Sequence, residues 1–386
     1  LTPFLFFSIL EDTGYMARIA FILDRIFRKF GLSGRAFMPM VMGFGCSLPA
    51  MINTRTLADE KERTSTVRVI PFFSCGAKLP ILTAVAGAIV AYYGVGNADV
   101  ITMCMYLLGI CTAIATVILM RSTTMRGEVP PFIMELPAYH APRFQSLMVH
   151  LWDKTKHYVK RAFTIILAST IIIWFFSSFN WRWQLLINED GDNLRMNESI
   201  LGTLGMLIQP LFTPLGFGSQ LGSEFGWVFA VAAITGLVAK ENVIATFGSL
   251  AAVIAGSLIS TEDGVSEVTA MIQGTGIGSP RLISFIAFNM LTIPCFAACA
   301  TAKAELPKGK FRWTLLFWLA TSYVVSMAIY LIGSWWWTCF IFLALAAAAV
   351  AGIVLWNKKH PMKKEGAIAG LDEAALDEAA PGEDRS

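Results

Sequence analysis

Cysteines at glycine- and proline-rich interruptions of apolar stretches are the residues of this chain best suited to chemistry. The first interruption reads Gly43-Phe44-Gly45-Cys46-Ser47-Leu48-Pro49. Gly43, Gly45 and Pro49 disrupt a helical ladder and leave main-chain carbonyls that lipid cannot satisfy. Such backbone is tolerated at membrane depth only where it is buried in protein or lines a polar cavity. Cys46 adds a soft sulfur there, although a kinked helix with a small packed cysteine is the plainer alternative. The second interruption runs from Pro71 through Cys75, Gly76 and Lys78 to Pro80. A lysine within an apolar helix faces a cavity or a carboxylate, or else snorkels toward the cytoplasmic interface. In the third, Cys295 and Cys299 follow Pro294 at i, i+4 spacing and share one helix face. Two thiols so placed suit a soft or borderline metal, or simply pack. Lys240 and Glu241 fall about fifteen residues into the apolar stretch beginning at Phe225. Ionisable groups at that depth mark function by default: Glu241 as a cation ligand, or Lys240 as the neutraliser of a carboxylate. Cys104, Cys111 and Cys339 stand in unbroken runs and read as packing residues.

The elements that must position these residues are transmembrane helices. Of 386 residues, 55% are apolar and only 15% charged. The mean hydropathy is +0.61, whereas soluble domains carry about 45–50% apolar and about 25% charged residues. Ile101–Met120, Phe163–Phe179, Leu282–Ala302, Trp313–Ile332 and Trp335–Trp356 are apolar runs of membrane-spanning length. Trp181, Trp183 and Trp335 to Trp337 fall at run ends, where headgroups favour them. Leu1 to Leu23 suggests a helix ending at Asp24–Arg25 and interrupted by Glu11, Asp12 and Gly14. The fold class expected is all-α, a polytopic helical membrane protein with broken and re-entrant helices. We count nine spans plus a re-entrant segment at Met38–Asn53.

Charge sets the orientation. Net charge is only +3, but four cationic stretches (Arg25–Arg35, Arg55–Arg68, Arg121–Arg161 and Lys303–Arg312) alternate with neutral or acidic ones. The positive-inside rule makes the cationic stretches cytoplasmic. Gly94–Asp99, Asn180–Glu198 and a polar, glycine-rich loop at Ser260–Pro280 are then external. Gln145–Arg161 reads as a basic amphipathic helix on the cytoplasmic face. The Ala/Glu/Asp-rich tail from Asn357 has too little apolar content to build a core. All seven cysteines lie in apolar segments, which argues against a disulfide framework. Residue 1 is Leu, with no basic n-region or cleavage site after it, so we expect the chain to begin inside a longer protein with at least one more span upstream. No phosphate-cradling Gly-x4-Gly-Lys-Ser/Thr and no His-Glu-x-x-His occurs, and the four histidines fit no catalytic triad. A short echo links Ile70-Pro71…Cys75…Leu79-Pro80 with Ile293-Pro294-Cys295…Leu306-Pro307, the kind of internal repeat found in transporters. These readings describe a transporter of a small solute or ion. An organic-solute carrier, for example of nucleosides, or a non-transporting membrane scaffold are the alternatives.

Five motifs in order carry a resemblance to a known family. They are Leu10-Glu11-Asp12-Thr13-Gly14-Tyr15-Met16-Ala17-Arg18, Gly43 to Pro49, Pro71 to Pro80, Met134-Glu135-Leu136-Pro137-Ala138-Tyr139 and Gly236-Leu237-Val238-Ala239-Lys240-Glu241. Together they resemble the membrane region of the FeoB family, ferrous iron transport protein B, from Leu1 to about Trp356. The resemblance implies Fe(II) as substrate, with no covalently bound cofactor, in the cytoplasmic (inner) membrane of a prokaryote. It implies two gate-type halves, at residues 1–121 and 161–356, separated by a cytoplasmic loop (122–160) and followed by a disordered cytoplasmic tail (357–386). It also implies an upstream cytosolic GTP-binding domain, through which alone GTP and Mg2+ would act, so that this chain is itself no enzyme. Small cytosolic accessory proteins and further copies of the chain are implied as partners beside the lipid bilayer, and nucleic acid is not. Cys46, Cys75, Glu241, Cys295 and Cys299 are the expected metal pathway, with Lys78 and Lys240 as charged neighbours. Thiol ligation releases protons, so transport is expected to weaken as pH falls.

Overall fold

The computed structural model describes residues 9–10, 13–30, 32–57, 59–94, 96–123, 178–184, 199–218, 227–238, 264–307 and 309–359, with single positions between 152 and 176 and between 240 and 248. These residues are helical and form no strand, apart from a lone bridge between Asn180 and Ser199. The chain is an all-α membrane protein. Four helical stretches among the described residues are long and apolar enough to cross a bilayer: Glu60–Tyr93, Ala98–Thr123, Ser279–Glu305 and Lys310–Ser334. Two of the four contain the interruptions that the sequence marks.

Helix α1 (Tyr15–Phe30) does not stop at Asp24–Arg25 as expected. Arg28 reaches back one turn to Asp24 at 2.6 Å, an i, i+4 pair that carries the helix past its charges. α2 (Phe37–Gly45) and α3 (Ser47–Asn53) together fill the expected re-entrant segment. The break between them is Cys46 itself, extended at φ −156° and ψ 126°. Pro49 lies in the first turn of α3, where its missing N–H would have had no helical partner. The prolines at the other two interruptions behave alike. Pro71 starts the 3-10 turn Ile70–Phe72, and Pro80 starts α5 (Leu79–Tyr93), after α4 (Glu60–Val69) has ended. Pro294 lies in the extended link between α10 (Ser279–Leu291) and α11 (Phe296–Glu305). These prolines therefore open helical segments or sit between them, rather than bending continuous helices.

α6 (Ala98–Thr123) packs on α4 and α5. α7 (Ile200–Phe212) pairs with α8 (Val228–Val238) as a hairpin. The next apolar stretch is not one continuous helix through Lys240. α8 ends at Val238, Lys240 stands in a turn, and helical positions resume at 243.

A further expectation is overturned. Ser260–Pro280 is not simply a polar external loop, because Val265–Thr275 forms helix α9, packed along α5. Its Val268, Met271 and Ile272 recur at helical spacing and are fully buried. Gly87 on α5 makes room for Val265: a Cβ at Gly87 would lie 3.0 Å from that side chain. The glycines at 264 and 276 that suggested a loop are the two ends of this helix, both with positive φ.

α10, α12 (Lys310–Ser334) and α13 (Thr338–Lys359) complete the order. α10 and α12 are joined by Ser284 and Ser326, whose hydroxyls meet at 2.8 Å, a polar contact of the kind that holds helices together where lipid offers no hydrophobic drive. Two apolar clusters result. One is centred on α5, α8, α9 and α10, where Phe217, Phe229, Phe247 and Phe285 pack edge to face or tilted. The other gathers Met51, Val67, Ile70, Phe72, Ala298, Cys299 and Trp318. Met290 belongs to the first cluster and Leu291 to the second, so the end of α10 lies on the seam between them.

Candidate functional site

The seam is where the interruptions meet. A Cβ built on Gly76 would lie 3.6 Å from the carbonyl oxygen of Gly45. One built on Gly43 would lie 3.4 Å from the ring of Phe73 and 3.6 Å from the carbonyl oxygen of Ile70. Phe44 and Phe73 face one another at 4.8 Å between ring centres. The break at Cys46 and the break at Cys75 are thus in contact, each with its cysteine next in sequence to a contacting glycine. α3, which starts after Cys46, also packs on α11, which carries Cys299. Cys46, Cys75 and Cys295 are half-buried thiols; Cys299 is buried, with its thiol toward the carbonyl of Pro294 at 3.4 Å.

Lys78 is fully buried and does not snorkel. Its ammonium donates to the carbonyls of Pro71 at 2.6 Å, of Phe73 at 3.4 Å and of Met290. Three donors meet three acceptors, which is how a buried ammonium is satisfied without a carboxylate. Lys240 is equally buried and donates to the carbonyl of Asn289 at 3.0 Å. Two lysines from distant parts of the chain therefore grip consecutive carbonyls in the last turn of α10, the negative end of its dipole. The backbone N–H of Lys78 also donates to the carbonyl of Cys75 at 3.0 Å, which fixes the lysine beside that break.

Among the described residues, no three His, Cys, Asp or Glu side chains are close enough to hold a metal ion together. The thiols line a joint without forming a ready-made chelate. Glu241 lies outside the described residues. Cys104 and Cys111 are exposed on α6, and Cys339 is half-buried on α13, away from the joint, as packing or lipid-facing residues would be.

Sequence reasoning missed two features. Asn289 Oδ1 and Thr292 Oγ1 are buried at the end of α10 and have no hydrogen-bond partner among the described residues. Two polar residues flanking the break in an otherwise apolar run were the available signal. The second feature joins the ends of the broken helices. Glu305 on α11, buried, accepts from Arg55 at 2.6 Å and from Arg63. The hydrogen bond and charge of Glu305 push the exposed Arg55 guanidinium above its ordinary value.

The comparisons with known proteins agree with this architecture. Residues 2–89 and 159–308 match the family model described as Gate, nucleoside recognition, and that range takes in all three interruptions and both lysines. The class is therefore a gate-type helical membrane protein. Residues 102–154 match the model of the ferrous iron transport protein B C terminus. The Fe(2+) transporter FeoB of Campylobacter jejuni is 37% identical over 326 residues, covering 84% of this chain and 50% of that relative. The protein of the same name from Helicobacter pylori is 33% identical over 348 residues, covering 83% and 52%. That from Escherichia coli is 30% identical over 374 residues, covering 86% and 46%. The chain belongs to the FeoB family. It spans about half the length of the curated relatives it matches. No solved structure matches it.

Proposed function

We propose that this chain is the transmembrane permease part of a ferrous iron importer in the prokaryotic cytoplasmic membrane. The contact of the two breaks carries the reading: it gathers Cys46 and Cys75 beside exposed backbone, with Cys295 and Cys299 nearby, in a chain akin to Fe(2+) transporters. Fe(II) is borderline in softness and accepts thiolate, carboxylate and carbonyl ligands. Half-buried thiols that form no preassembled chelate suit a passing ion, which must bind well enough to arrive and weakly enough to leave. Each thiol that ligates gives up its proton. Glu241 contributes a carboxylate in this scheme. GTP and Mg2+ act through an upstream cytosolic GTP-binding domain, and residues 1–121 and 161–356 act as the two gate-type halves. Small cytosolic accessory proteins and self-association complete the assembly.

The test is anaerobic uptake of labelled Fe(II) by cells lacking their own ferrous uptake, expressing the chain with a relative's GTP-binding domain upstream. Joint replacement Cys46→Ser and Cys75→Ser is expected to lower uptake at least about tenfold, the effect that changes even outside the metal's ligand shell often have. Cys111→Ser, on the exposed face of α6, is expected to leave it nearly unchanged. Unchanged uptake in the double variant would refute the thiol pathway. A second reading is favoured by the name of the matching gate model, nucleoside recognition: saturable, metal-independent uptake of a labelled nucleoside would replace the ferrous reading.

A further inference from the structure

We propose that Lys78 and Lys240 are the selectivity element of this pathway, two fixed ammonium charges that bar any cation the neighbouring thiols cannot ligate. The inference rests on the ferrous reading and goes beyond it, because it concerns what is kept out.

Burying a charge is costly, and a lysine in the apolar part of a membrane protein is tolerated only with a reason. Among the described residues neither lysine meets a carboxylate, and the bonds seen there go to main-chain carbonyls. Neutral donors would satisfy those carbonyls at lower cost. What an ammonium adds is a positive charge, and both charges stand at one place, the end of α10, where the broken segments converge. They come from different parts of the chain, Lys78 from the turn before α5 and Lys240 from the turn after α8. Their side chains donate to the neighbouring carbonyls of Met290 and Asn289, and Lys78 follows Cys75 by three residues. Fixed positive groups beside a narrow path exclude cations in other membrane pores.

Thiols make the exclusion conditional. A thiophilic divalent ion displaces protons, M2+ + 2 RSH → M(SR)2 + 2 H+, so two thiolates then offset the ion's charge beside the lysines. Mg2+ and Na+ bind thiols poorly, displace no proton and so approach the two ammonium groups without added thiolate charge. The buried oxygens of Asn289 and Thr292 at the same turn, without a partner among the described residues, accept hydrogen bonds from water carried by the ion that is admitted.

Proteoliposomes carrying the chain with the GTP-binding domain proposed above are loaded with fluorescent reporters, and the inward flux of Fe(II), Mg2+ and Na+ is measured. For the unmodified protein, Fe(II) crosses while Mg2+ and Na+ do not. In Lys78→Gln and Lys240→Gln the ratio of Mg2+ or Na+ flux to Fe(II) flux rises at least about tenfold, because a unit charge within about 10 Å at intermediate dielectric sets a barrier of that order. Lys78→Arg and Lys240→Arg, which keep the charge, hold the ratio of the unmodified protein. Cys75→Ser with Cys295→Ser and intact lysines passes no cation. The proposal falls if the glutamine variants keep the original ratio, or if the arginine variants leak as they do. Mg2+ or Na+ crossing the serine variant, or crossing the unmodified protein as fast as Fe(II), also overturns it, and neither result depends on the glutamine variants folding. Absence of Fe(II) flux in the unmodified protein fails the ferrous reading and takes this one with it. Indiscriminate cation flux that includes Fe(II) overturns the lysine assignment alone.

Discussion

At Gly109 a side chain is excluded by main chain rather than by another side chain. A Cβ there would lie 2.6 Å from the carbonyl oxygen of Phe72, so α6 lies directly on the first turn of the broken segment. Gly109→Val is expected to destabilise the protein by about 1–3 kcal/mol, the usual cost of forcing extra volume into a packed site, read as a lower thermal midpoint in detergent. Gly276→Ala, with open space around it, removes no contact, and only its positive φ opposes the change. Much of the joint is legible residue by residue, because Cys46, Cys75, Lys78, Lys240 and Pro294 each violate an apolar pattern. That Cys46 itself is the extended residue, rather than a neighbouring glycine, is not. Nor are the partners of the lysines: Met290 is 212 residues from Lys78 and Asn289 is 49 from Lys240, and both offer only a main-chain carbonyl, which every residue has.

Between elements, two kinds of contact hold the joint. One is apolar burial of α9 on α5. Met271→Ala is expected to cost about 2–5 kcal/mol, measured by unfolding in detergent; a cost near zero would mean that α9 does not pack there. The other is ionic. Arg55 and Arg63 share Glu305, but the Arg55 side chain is 66% exposed and that of Arg63 29%. Water and salt screen the former more, so Arg63→Ala is expected to lower the thermal midpoint more than Arg55→Ala, and added salt to narrow the gap. α4 is also tied to α12, through Trp318 donating to the carbonyl of Arg68 at 2.8 Å and Arg68 donating to Thr314 at 3.0 Å. α9 is hard to read from sequence because its flanking glycines and polar neighbours outweigh three buried apolar residues in a short helix. The echo of Ile-Pro…Cys…Leu-Pro is only half structural. In the first copy Leu79-Pro80 opens a helix, and in the second Leu306-Pro307 follows the end of one. Identical words served opposite positions, which sequence spacing alone does not reveal.

For the molecule as a whole, composition made the membrane class plain, since long apolar runs with charges gathered between them have few other uses. The orientation assigned from those charges is open to direct measurement. A phosphatase fused after Gly96, in the turn closing α5, is expected to be active outside the membrane, and a fluorescent protein fused after Thr123, at the end of α6, to fold inside. The reverse pattern would invert the cationic-face assignment. Glu305 has a consequence for how such a chain is made. Its partners Arg55 and Arg63 precede it by 250 and 242 residues. At about 5–20 residues per second of synthesis, the two arginines leave the ribosome about 12–50 seconds before the carboxylate that joins them. Through that interval the early helices stand in the bilayer with their closing contact unmade. Arg55 stands in the turn before α4 and Arg63 near the start of that helix, at its charged end, where water can hold them while they wait. The carboxylate arrives late in synthesis, and with it the ion pair that fastens the last broken helix to the first.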